Sequence, residues 1–232
     1  MTPVALVSGG AGGIGRGLVD ALLKSGSEVA VLDLNLNEHA TLSVSCDVRD
    51  ADSVRAAVAE VESSLGAPQQ LVCAAGVVSE SPLVTLDPGE WQRVVDVSLT
   101  SAFLLTKAAL PSMIRAGGGQ IVMLSSGWGR KGYPLGAHYA AAKSGVEALA
   151  KSVALEYAAR GVRCNAVAPG PVRTAMIEDN PDFDESARAA LIPMARIGEV
   201  PDVVDPVMFL LGDGARYITG QVLHVNGGML MP

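Results

Sequence analysis

Short, largely apolar runs recur along the chain. Val4-Ala5-Leu6-Val7, Glu28 to Asp33, Leu42 to Ser45, Gln120 to Ser126 and Val162 to Val167 each read as a strand. Burial on both faces is the reading for the unbroken runs, because a half-exposed strand would alternate apolar and polar positions. Between these runs lie stretches with helical spacing. One follows Gly15 through Leu18, Leu22 and Leu23, and others are predicted over Ala51 to Leu65, Trp91 to Ala116, Ala137 to Arg160 and Val203 to Leu211. In the last of these Pro206 removes a backbone donor and should kink or weaken the helix. Strands alternating with helices predict an α/β fold, a doubly wound, mainly parallel sheet with helices on both faces in one domain.

Two of the joins carry chemistry. Between the first strand and its helix stands Ser8-Gly9-Gly10-Ala11-Gly12-Gly13-Ile14-Gly15. A glycine-rich turn in that setting lets the backbone approach a pyrophosphate at the positive helix end, so it is a candidate dinucleotide site. Asp33 closes the second strand, where a carboxylate accepts hydrogen bonds from ribose hydroxyls and repels a 2′-phosphate. NAD is therefore expected over NADP. Leu34-Asn35-Leu36-Asn37 supplies no cation to rescue phosphate binding, and Arg16 is the nearest one. The second join runs from Ser126, at a strand's carboxyl end, to Tyr139 and Lys143. On a helix the last two share a face. A nearby ammonium is expected to lower the phenol's pKa toward the range that acid-base work on an alcohol or ketone oxygen needs. Trp128 and Tyr133, in the glycine-rich loop between, are candidates for an apolar substrate wall, whereas His138 points roughly 100° away from Tyr139 and is expected to be structural.

Composition narrows the partners. A net charge of −7 over 232 residues argues against nucleic acid and anionic membrane surfaces. Neither a signal peptide nor an apolar stretch long enough to span a bilayer is read, and a cytoplasmic location is expected. Cys46, Cys73 and Cys164 are widely spaced with no metal-like pair, so reduced thiols and no metal are expected. Asp47 and Asp50 are alternative caps for the helix that starts at Ala51.

The glycine turn, Ser126, Tyr139-Ala140-Ala141-Ala142-Lys143 and Pro169-Gly170 together resemble the classical short-chain dehydrogenase/reductase family over nearly the whole chain. The resemblance implies Tyr139 as acid-base residue, Lys143 holding the nicotinamide ribose, and Ser126 holding the reacting oxygen. It implies cofactor contacts from Ser8, Gly9, Gly13, Ile14 and Gly15, from Asp47 and Val48 at the adenine, and from Ala75 and Gly76. Further contacts come from Pro169, Gly170, Val172 and Thr174 at the nicotinamide. Cys73-Ala74 replaces the family's two Asn, so a less rigid link is expected there. Ser98 falls where the family has a catalytic Asn. A substrate lid is expected over about residues 174–195, with Met176 facing the substrate. A homotetramer is implied, built on the long helices and a last strand near Ile218 to Gly228. The implied activity interconverts a secondary alcohol and a ketone with NAD. NADPH-dependent reduction of a 3-oxoacyl thioester and a catalytically weak cofactor sensor stand as alternatives.

Overall fold

The computed structural model describes residues 2–178 and 184–231. Seven strands form one parallel sheet: β1 (Val4–Ser8), β2 (Glu28–Asp33), β3 (Leu42–Ser45), β4 (Gln70–Cys73), β5 (Gly119–Leu124), β6 (Val162–Pro169) and β7 (Val222–Val225), in the order β3-β2-β1-β4-β5-β6-β7. The chain winds outward from β1 to β3, then returns to β4 on the other side of β1. That reversal opens a crevice beyond the carboxyl ends of β1 and β4, where Ser8 pairs with Cys73.

Both faces of the sheet are covered, which is why the central strands are mostly apolar. Alternate strand residues serve opposite layers. Val4, Leu6, Ala30 and Leu32 pack with α2 (Ala51–Ser64), α4 (Ser101–Arg115) and α6 (Ala137–Tyr157). Ala5, Val7, Val29 and Val31 pack with α1 (Gly13–Lys24) and α9 (Val200–Leu211). Asp50, not Asp47, caps α2, accepting the Asp52 N–H at 3.1 Å. Helix α9 begins three residues before the predicted start and runs through Pro206.

The helix predicted from Trp91 differs in detail. It starts as α3 (Pro88–Val95), capped by Asp87 with Pro88 in its first turn, and passes through a π-helical turn at Asp96–Thr100 before continuing as α4. The whole run, Pro88–Arg115, is long and apolar enough by composition to cross a bilayer, contrary to the sequence expectation. Half of its most apolar window is buried inside the protein, as suits a core helix. The loop between Ser126 and Tyr139 contains one helical turn, α5 (Trp128–Lys131). The expected lid region includes α7 (Ala175–Glu178) and α8 (Glu185–Ala189).

Candidate active site

A cavity of about 900 Å³ lies over the crevice, with the glycine turn and Asp33 at one end and Ser126, Tyr139 and Lys143 at the other. The turn is shaped by contacts that only glycine permits. Gly9 has φ +68°, and a Cβ there would come within 2.7 Å of the Ala75 backbone. At Gly15 a Cβ would stand 2.0 Å from the Gly9 carbonyl oxygen, yet at Gly12 it would meet nothing within 4 Å. The backbone is therefore packed tightly from behind and open toward the cavity. No side chain caps the amino end of α1, so its amides are available to an anion. These residues fit the pyrophosphate of a dinucleotide.

Asp33 is held in place by two backbone donors, Ala11 N–H to Oδ2 at 3.1 Å and Asn35 N–H to Oδ1 at 3.0 Å. Asp47 and Val48 line the same end. Arg49, which the sequence reading passed over, lines it too, whereas Arg16 does not. Its guanidinium is committed to Asp47, with Nε 2.9 Å from Oδ1 and Nη2 2.7 Å from Oδ2, and it holds the Asp47 carboxyl below its usual range.

Ala74 and Ala75 are tied to β1 despite the missing Asn pair. Ser8 accepts the Ala74 N–H at its carbonyl (3.2 Å) and the Ala75 N–H at its hydroxyl (3.4 Å). One carbonyl and one hydroxyl acceptor of Ser8 thus make the link at the position where the Asn pair is missing. Cys73 is buried, and burial pushes its thiol up to about 12, so it is an inert core residue.

At the other end α6 presents Tyr139 and Lys143 one turn apart. Lys143 is 4% exposed; its Nζ donates to the Leu124 carbonyl at 2.7 Å and lies 5.6 Å from the Tyr139 ring centre. Burial lowers its pKa to about 8. Tyr139 departs from expectation, because its pKa is raised, not lowered. Desolvation pushes it up and a hydrogen bond with Ser126 only partly opposes this. The ammonium donates instead to a backbone carbonyl on β5, and burial governs the phenol.

Ser98, in the π-helical turn, does not open onto the cavity. It is buried behind Gly76, accepting the Val77 N–H at 3.3 Å. Pro169, Gly170, Val172 and Thr174 form the wall opposite the glycine turn, and Gly170 abuts Asn226 so closely that a Cβ would stand 2.9 Å from it. Ile14 and Gly13 face that wall. Trp128 and Tyr133 line the cavity beside Tyr139, stacked at 4.6 Å and 12°, with Tyr133 edge-on to Tyr139 at 6.4 Å. The Met176 side chain lies outside the described residues.

Sequence reasoning missed the support beneath this site. Glu147, 3% exposed on α6, accepts from Ser125 Oγ at 3.0 Å and from Arg130 Nε at 2.6 Å. Because Arg130 sits on α5, Glu147 fastens the helical turn carrying Trp128 to the helix carrying Tyr139 and Lys143. His138 is fully buried with Nε2 2.8 Å from Ser79 Oγ, and it does not itself line the cavity.

A dinucleotide cradle joined through one cavity to a hydroxyl, a phenol and an amine defines an oxidoreductase that works on a carbonyl or hydroxyl with a nicotinamide cofactor. The chain belongs to the short-chain dehydrogenase/reductase family. Residues 9–230 match the family described as enoyl-(acyl carrier protein) reductase. A 3-oxoacyl-[acyl-carrier-protein] reductase of Staphylococcus aureus is 39% identical over all of this chain and 99% of its own. Another, from Vibrio harveyi, is 34% identical over 98% of this chain and 97% of its own. The solved structure of Thermoplasma acidophilum aldohexose dehydrogenase in ligand-free form is 32% identical, with a TM-score of 0.94 over 98% of this chain and 94% of that one.

Proposed function

We propose that the protein reduces the ketone of a 3-oxoacyl thioester to the alcohol, using NADH. The observation that carries this reading is the meeting of Ser126, Tyr139 and Lys143 in one cavity. The printed names of the Staphylococcus and Vibrio relatives support the substrate class. This departs from the first expectation, NAD-dependent interconversion of a secondary alcohol and a ketone; it takes up the substrate of the alternative but keeps NADH in place of the NADPH that alternative named.

When bound, the nicotinamide supplies hydride to the ketone carbon. Ser126 donates a hydrogen bond to the ketone oxygen and so orients it. Tyr139 gives that oxygen its proton as negative charge develops. Lys143, one helical turn from Tyr139 and lining the same cavity, would hold the nicotinamide ribose. The Gly9 to Gly15 turn would hold the pyrophosphate, and Asp33 the adenosine ribose. Asp33 supports NADH because its fixed carboxylate would face a 2′-phosphate with like charge, and Arg49 is already paired.

The test is steady-state reduction of a 3-oxobutanoyl thioester with either cofactor. Wild type should favour NADH, and Tyr139→Phe should lose about 10²- to 10⁴-fold in turnover while keeping NADH affinity. Equal turnover in the variant would remove Tyr139 from the chemistry, and a strong NADPH preference would overturn the role of Asp33. Dehydrogenation of a sugar or other secondary alcohol is the second reading, favoured by Asp33 and by the name of the Thermoplasma enzyme. Faster NAD-dependent oxidation of an aldohexose than reduction of the thioester would establish it instead.

A further inference from the structure

The loop after β4 is fastened to the segment leading into α6 at three successive residues. Ser79 Oγ lies 2.8 Å from Nε2 of the fully buried His138. Glu80 accepts the Tyr133 hydroxyl. The Ser81 N–H donates to the Leu135 carbonyl at 2.7 Å. Proton positions in the first tie follow from its neighbours. Ser79 also stands 2.5 Å from Glu90 Oε1, and that carboxylate is gripped by Nε and Nη2 of Arg93, each at 2.7 Å, so it only accepts. Ser79 therefore donates to Glu90, and His138 must donate from Nε2 to Ser79.

Leu135 is the costly member. Its φ is 67°, a left-handed conformation that side chains other than glycine rarely adopt, and its carbonyl is the one that receives the Ser81 N–H. Such strain persists where surrounding contacts over-determine it. The ties matter to the site through Tyr133. Its ring stacks on Trp128 and meets Tyr139 edge-on, while its hydroxyl is held by Glu80, so the loop after β4 fixes how far the aromatic wall stands from the reacting phenol. Val77 and Val78 of that loop line the same cavity.

We propose that these ties form a clasp that sets substrate fit: Glu80, Tyr133 and His138 are positioning residues, and the wall they hold receives the apolar chain of an uncharged acyl group. The proposal rests on the reductase reading for its substrate and is independent of it for its geometry. The test uses Glu80→Ala, Glu80→Gln and Tyr133→Phe with 3-oxobutanoyl and 3-oxooctanoyl N-acetylcysteamine thioesters. Glu80 is exposed, so these variants should fold. Glu80→Ala should raise KM for the longer thioester about tenfold while kcat and NADH affinity move less than about twofold. Glu80→Gln, which still accepts the phenol proton, should restore KM, and the Glu80→Ala/Tyr133→Phe double variant should be no worse than either single one. Amide exchange at Ser81 should quicken about tenfold in Glu80→Ala, with β1 and β4 amides unchanged. Additive losses, an unchanged KM, or unchanged Ser81 exchange would each overturn the clasp. A wild-type protein inert toward both thioesters would instead overturn the reductase reading, and Ser81 exchange would still decide the clasp.

Discussion

Lys143 is an ammonium in a place that does not favour one, and replacing it with methionine should reveal the cost. Its pKa falls from 10.5 in the unfolded chain to about 8 in the folded one, a difference worth ~3 kcal/mol against the folded state wherever both forms are protonated. Methionine has similar length and no charge, so it escapes that penalty. It also abandons the 2.7 Å bond to the Leu124 carbonyl, a loss of ~1–2 kcal/mol. At about pH 7 the variant should therefore be more stable by ~1–2 kcal/mol while losing most activity. The sign reverses with pH. Between about pH 8 and about pH 10 the unfolded wild-type chain binds more protons than the folded one, so wild-type stability rises relative to the variant. By about pH 10 to 11 wild type should be the more stable by ~1–2 kcal/mol. Denaturant unfolding of both proteins at the same concentration and at both pH values measures the difference. A variant less stable by the same amount at each pH would show that burial exacts no toll from this amine.

Other perturbations reach the same site from different directions. Gly15→Ala should destabilise by ~3 kcal/mol, because the new methyl would stand 2.0 Å from the Gly9 carbonyl oxygen; isothermal titration should also show NADH affinity at least about tenfold weaker. Glu147→Ala should cost ~2 kcal/mol by denaturant unfolding, less than a fully buried pair, since Arg130 is partly exposed and can turn to water. The same variant should raise KM by loosening Trp128, and Glu147→Gln, which keeps an acceptor for Ser125, should recover part of both losses.

Much of this molecule is legible before any coordinates. Glu28–Asp33 and Leu42–Ser45 are strands at the limits read from sequence; in the first, double-sided burial leaves an unbroken apolar core, Val29 to Leu32. Tyr139 and Lys143 were findable for a local reason, their separation by one helical turn. What stayed hidden depends on contacts between segments distant in sequence. Nothing in the spacing of Glu147 and Arg130, or of Glu80 and Tyr133, announces that they meet. The π-helical turn at Asp96–Thr100 has neither Gly nor Pro to mark it, so one continuous helix was the natural expectation. The phenol's pKa went the other way because sequence reveals a neighbouring charge more readily than the burial around it, and here burial dominates.

The sheet also acts as a partition. The apolar residues beneath α1 and α9 form one interior and those beneath α2, α4 and α6 form another, with strand side chains assigned to one or the other by parity. The glycine cradle belongs to the first compartment, and the phenol and amine belong to the second. Repacking either compartment should therefore leave the other undisturbed, so that the hold on the nucleotide and the chemistry at the ketone can be altered by separate sets of substitutions, meeting only along the rim where the strands end.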